Sequence, residues 1–235
     1  MEISVENIRE NLARARGMLA EAAVSAGRSG AGVKVMAVTK THPTEIVRMA
    51  VEAGADMIGE NRVSEGGRKI RALGKDFAEF HMIGPLHTKE VRRVVKDFHW
   101  IDSVDRMKIA EEIAFRTVDR EERPPGILLE VNTSGEDSKF GFSPEITLLE
   151  DVIGRIFESG LEVSGFLTVG PLGASEISTR KAFATLRELR DRLSERLGVP
   201  LPELSMGMSD DFILAAAEGA TTVRLGRFLL GSRKT

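Results

Sequence analysis

Eight short apolar runs, most of them followed by an amphipathic stretch, come after one leading amphipathic helix. This pattern predicts an α/β fold, a TIM-type (β/α)8 barrel with an extra N-terminal helix. The 235 residues suit one such barrel, and no linker, low-complexity tract or charge block marks a boundary, so residues 1–235 read as a single domain. An open doubly wound sheet is the competing architecture for the same alternation.

The leading helix spans Ser4 to Ala26. Val5, Ile8, Leu12, Ala15 and Leu19 recur at spacings of three and four, Ser4 suits the N-cap, and Gly27 to Gly32 break the pattern. Strands are expected near Val35–Thr39, Met57–Gly59, Phe80–Gly84 and Trp100–Ser103, then near Ile127–Val131, Val163–Val169, Leu204–Met208 and Thr222–Leu225. Helical periodicity lies between them, as in Thr44–Ala53, Lys89–Lys96, Arg106–Arg116 and Thr179–Leu197.

Composition narrows the function classes. A formal net charge of -3 gives no electrostatic case for nucleic acid or an anionic membrane. Cysteine is absent, which excludes disulfides, thiolate metal sites and cysteine nucleophiles. No metal site is expected. The N-terminus is too charged for a signal peptide, and no apolar run approaches the roughly 18 residues of a membrane helix, so a cytoplasmic protein is expected. No exposed apolar stripe argues for an obligate dimer, and a monomer is expected. Tyrosine is absent as well.

A barrel places its chemistry where strands end. The first strand ends in Lys40; a half-buried lysine there would have a lowered pKa and a nucleophilic amine, whereas position alone favours a solvated lysine. Barrel phosphate sites are often built from the loops after the last two strands. Here those loops carry Ser205-Met206-Gly207-Met208-Ser209 and Arg224-Leu225-Gly226-Arg227. Ser209 can donate a hydroxyl, and Gly226 lets a backbone N–H approach closely, although Ser209 also suits an N-cap for a helix beginning at Asp210. The charges of Asp210 and Asp211 oppose an adjacent phosphate unless they point away. Arg224 sits inside an apolar strand on the side of Thr222 and Gly226 and needs a partner, for which Glu60 and Glu130 are structural candidates. Asn61 and His81 fall at strand ends too, where a turn residue and a core histidine are the plainer readings.

In order along the chain stand Ala37-Val38-Thr39-Lys40-Thr41, Gly59-Glu60-Asn61, His81-Met82-Ile83-Gly84-Pro85-Leu86, Val131-Asn132 with Ser138-Lys139, Ser205-Met206-Gly207-Met208-Ser209-Asp210 and Val223-Arg224-Leu225-Gly226. Together they resemble the pyridoxal 5′-phosphate (PLP) homeostasis protein family, the YggS or PROSC family, whose fold is like the N-terminal barrel of alanine racemase. The resemblance implies PLP as cofactor, bound as a Schiff base to Lys40. It also implies phosphate contacts from Ser209 and the backbone around Gly226, Arg224 facing the pyridine nitrogen, and Asn61 near the ring. It further suggests Lys139 as a second surface contact, and apo PLP-dependent enzymes as partners. The chain departs from the family at His87 and Ser64, where glutamines are usual, and at Lys89-Glu90, which replaces an Asn-Lys pair.

Arg224 bears on turnover. Enzymes that use the PLP ring as a strong electron sink place a carboxylate at its nitrogen, whereas an arginine leaves that nitrogen unprotonated. Racemization tolerates an arginine but needs a second base opposite Lys40; in alanine racemase that base is a tyrosine, and here only a histidine, His42 or His81, could serve. A PLP carrier acting in PLP homeostasis, with no catalytic residue, therefore ranks above a weak amino-acid racemase. A phosphate-binding barrel enzyme without PLP ranks third.

Overall fold

A computed structural model describes residues 3–30, 32–118, 124–136 and 139–231; Ser138 lies outside the described residues. Eight parallel strands close into a barrel in sequence order: β1 (Lys34–Val38), β2 (Met57–Glu60), β3 (Phe80–Met82), β4 (Trp100–Val104), β5 (Gly126–Glu130), β6 (Val163–Leu167), β7 (Glu203–Ser205) and β8 (Thr222–Leu225). Closure runs through β1 and β8, with Lys34 opposite Thr222 and Ala37 opposite Leu225. The open-sheet alternative is thereby set aside.

The helices are α1 (Val5–Ser25), α2 (Thr44–Glu52), α3 (Val63–Leu73), α4 (Val91–Asp97), α5 (Met107–Thr117), α6 (Ile146–Glu158), α7 (Glu176–Leu197), α8 (Phe212–Ala217) and α9 (Arg227–Leu230). The additional helix α1 begins as expected: the Ser4 hydroxyl accepts the Asn7 N–H at 3.2 Å. Its buried stripe of Ile8, Leu12, Ala15 and Leu19 covers the barrel seam beside α8 and α9, and the Asn11 amide donates to the Leu229 carbonyl.

Strand alternation divides the core in two. One set of positions, including Val35, Ala37, Ile58, Phe80, Ile101 and Val223, joins helix residues in a continuous apolar layer. The other set points into the barrel and is partly polar, with buried His81, Asp102, Ser205, Thr222 and Arg224. Several expected boundaries shift: β3 stops at Met82 rather than Gly84, and β6 at Leu167 rather than Val169. β7 stops at Ser205 rather than Met208, because Gly207 turns left-handed at φ +92° and a Cβ there would lie 2.5 Å from Ala215. The stretch expected from Lys89 opens with a 3-10 turn over Thr88–Glu90 before α4 begins.

Candidate functional site

A cavity of about 190 Å³ opens at the C-terminal face of the barrel, lined by Val38, Lys40, His42, Ile83, Met208, Ser209, Asp210, Arg224, Gly226, Arg227 and Gly231. Four of the five residues singled out from sequence thus meet at one place: Lys40, Ser209, Arg224 and Gly226. Lys40 stands just past β1, after buried Thr39 and before Thr41, whose φ is +68°. Asn61 directly follows β2 and is not among the lining residues; its backbone packs against Gly84. Its Oδ1 is buried without a hydrogen-bond partner.

Arg224 is buried in the barrel and donates to the Ser205 carbonyl at 2.7 Å, the Ser205 hydroxyl at 2.9 Å and the Thr168 carbonyl at 2.8 Å. Burial pushes its pKa down, while Asp102, Glu130 and Asp211 favour the cation. Neither suggested glutamate forms an ion pair with it. Glu60 is directed to the other side of β2, where it meets Lys69 at 2.6 Å. Glu130 acts on Arg224 through space; burial raises its own pKa to about 7, with Arg224 opposing.

Ser209 is not the N-cap of the following helix. α8 begins at Phe212 with Asp211 as its cap residue, and the Ser209 hydroxyl instead accepts the Phe228 N–H at 3.1 Å. That hydroxyl retains its own proton to donate. Gly226 leaves room above it, since a Cβ there would meet only Val38 atoms at 3.5 Å and beyond. The Asp210 side chain is largely exposed. It lines the wall and forms an ion pair with Arg227, so its charge is offset in place. Arg227 is assigned no role from sequence, although its place directly after Gly226, at the start of α9, is the signal that could have found it.

His81 is absent from this cavity. Its ring is buried, with Nδ1 2.8 Å from Asp102 Oδ1 and Nε2 3.0 Å from Glu79 Oε1, and it stacks on Trp100 at 5.5 Å. It is a satisfied core histidine, and only His42 of the two proposed bases lines the cavity. Lys139 lies 2.8 Å from Glu136 and donates to the Gly170 carbonyl at 2.7 Å, tying the loop after β5 to the loop after β6. His87 and Glu90 cap the 3-10 turn before α4, a local role for two of the atypical residues. A larger cleft of about 630 Å³ lies at the opposite end, among residues preceding or opening β3 to β6, away from the strand ends that carry the lysine and arginine.

The cavity combines a primary amine, a hydroxyl, two guanidinium groups and an uncovered glycine. This set suits a planar, anionic carbonyl compound such as PLP: the amine meets the aldehyde, and the other groups meet phosphate and ring substituents. Among the described residues, no cluster of three or more His, Asp or Glu could hold a metal, and no helix is long and apolar enough to cross a membrane.

Comparison with known proteins points to the same chemistry. Residues 3–234 match the family described as alanine racemase, N-terminal domain. A pyridoxal phosphate homeostasis protein of Aquifex aeolicus is 38% identical over 233 residues, covering 97% of this chain and 99% of that one. PipY of Synechococcus elongatus, whose structure has PLP bound, is 32% identical with a TM-score of 0.77, covering 91% of this chain and 100% of that one. Alanine racemase of Clostridium difficile, at 17% identity, shares the fold, with a TM-score of 0.78 over 100% of this chain and 58% of the enzyme.

Proposed function

The chain belongs to the alanine racemase N-terminal domain family, among the pyridoxal phosphate homeostasis proteins, and from that membership we propose that it binds PLP covalently through Lys40 and holds it as a carrier or buffer. The observation that carries the site assignment is the convergence of Lys40, Ser209, Arg224 and Gly226 on one cavity.

Bound there, PLP supplies an aldehyde that condenses with a primary amine and a ring that withdraws electrons. The protein's residues act around it. Lys40 provides the amine; Ser209, with the backbone near Gly226, binds the phosphate oxygens, and Arg227 offsets the Asp210 charge on the same wall. Arg224 presents a cation where a strong electron sink would need a carboxylate, so the site favours retention over turnover. Asn61 offers its unpartnered amide oxygen to a donor on the ring.

Apo PLP-dependent enzymes are the recipients this reading implies, met by a monomer in the cytoplasm. A formal net charge of -3 speaks against nucleic acid or an anionic membrane as the partner. Titrating the purified protein with PLP tests the binding. The absorbance band of a lysine-bound cofactor should saturate at one equivalent and be absent from Lys40→Ala; a band of equal size in that variant would refute the assignment.

A further inference from the structure

We propose that the buried cluster of Glu60, Lys69 and Glu65 positions Lys40: it clamps the backbone on both sides of the lysine and so sets where its amine meets the cofactor aldehyde. The inference rests on the PLP-binding role of Lys40 proposed above.

Lys69 lies on α3 and is 1% exposed, an unusual place for an ammonium group. Its three donors meet three acceptors: Glu60 Oε1 at 2.6 Å, Glu65 Oε1 at 2.8 Å and the Thr39 carbonyl at 2.8 Å. Such a cluster is a poor way to gain stability, because desolvating the charges offsets much of their attraction and an apolar filling of the same space often does as well. Its geometry indicates a different use. The cluster reaches both neighbours of Lys40 in the chain.

On one side, the Thr39 hydroxyl donates to Glu60 Oε1 at 2.5 Å, and the Thr39 carbonyl accepts from Lys69. On the other, the Thr41 N–H donates to Glu65 Oε1 at 2.6 Å. Thr41 is the one non-glycine residue among those described with a positive φ, at +68°. A β-branched side chain disfavours that conformation, so it persists only where surrounding bonds enforce it. Here the Glu65 carboxylate does so from one side, and the His42 N–H closes the turn by donating to the Thr39 carbonyl at 3.1 Å.

None of the three charged residues lines the cofactor cavity. Glu60 faces α3, where a Cβ on Gly66 would lie 3.0 Å from its own Cβ. The cluster therefore acts through the Thr39–Thr41 backbone, and Glu60, Lys69 and Glu65 are positioning residues. Holding a reacting amine in register speeds its encounter with the aldehyde without adding affinity for the rest of the ligand.

The test compares capture of PLP at Lys40, trapped with borohydride over time, with equilibrium binding of pyridoxine 5′-phosphate, which carries the ring and phosphate but no aldehyde. In Glu65→Ala, capture should slow on the order of tenfold to a hundredfold, while binding of pyridoxine 5′-phosphate stays within about twofold. Glu65→Gln, which keeps an oxygen for the Thr41 N–H, should retain most of the capture rate. Should Glu65→Ala fail to fold, Thr39→Val removes only the hydroxyl bond to Glu60 and should give the same split at smaller amplitude. Equal losses for both ligands, or no loss for either, would overturn the positioning role. Wild-type protein that captures PLP elsewhere than Lys40 would overturn the cofactor reading together with it.

Discussion

The imidazole of His81 lies 2.8 Å from the carboxylate of Asp102 inside the barrel. Burial by itself disfavours the imidazolium, but Asp102 and Glu79 outweigh it and raise the pKa to about 9. Both ring nitrogens then act as donors, and no lone pair remains to take a substrate proton.

This pair predicts an alkaline loss of stability. Because the folded pKa exceeds the ordinary value near 6.5, the contribution is fully present below about pH 6.5 and disappears as pH rises through about 9. Melting temperatures measured from pH 6 to 10 should fall across that window. His81→Gln should melt lower at pH 6 yet vary less with pH; an unchanged slope would dismiss the ion pair as the cause.

Ser209→Ala should weaken PLP more than pyridoxal, which lacks the phosphate. A hydrogen bond to a charged group is worth about 1.5–3 kcal/mol, or roughly tenfold to a hundredfold in affinity. The substitution also removes the acceptor of the Phe228 N–H. The informative quantity is accordingly the ratio of the two dissociation constants, which stays at the wild-type value if Ser209 serves only the backbone.

Arg224→Met should weaken PLP and pyridoxal alike, because both carry the ring nitrogen. It should also destabilise the fold on the order of 3 kcal/mol, since the Ser205 and Thr168 carbonyls lose their donor. Denaturant unfolding without ligand measures the second effect separately. A variant with native stability and native affinity for both ligands would remove Arg224 from the account.

The loaded protein should exchange the α-proton of alanine and larger amino acids far more slowly than about 1 s⁻¹, the low end of ordinary turnover. The sequence contains no tyrosine, His81 is engaged on both nitrogens, and His42 is the histidine that lines the cavity with Lys40. Exchange with inversion at that rate in deuterated water, abolished by His42→Ala, would favour the racemase reading instead.

Much of this architecture is legible in the sequence because strand alternation and the ends of strands obey local rules. Thr222–Leu225, bounded by Thr221 and Gly226, occupies the predicted strand, and Lys40, Ser209, Arg224 and Gly226 share the cavity expected at the C-terminal face. Other features depend on packing between distant segments. α3 gives a weak helical signal because Gly66 and Gly67 sit in it, and Gly66 is needed where a Cβ would lie 2.5 Å from Phe98. Glu65 and Lys69, four residues apart, read as an ordinary solvated helix pair until α3 is laid against β2. The pairing of Asp210 with Arg227 likewise joins the loop after β7 to the start of α9, which the parallel pairing of β7 with β8 brings side by side.

Reduction of the PLP-loaded protein with borohydride, followed by peptide mass spectrometry, tests the central claim most directly. The account predicts one pyridoxyl group per chain, on Lys40, and its loss in Lys40→Ala. Stoichiometric labelling of another lysine in the wild-type protein, with Lys40 unmodified, would contradict it.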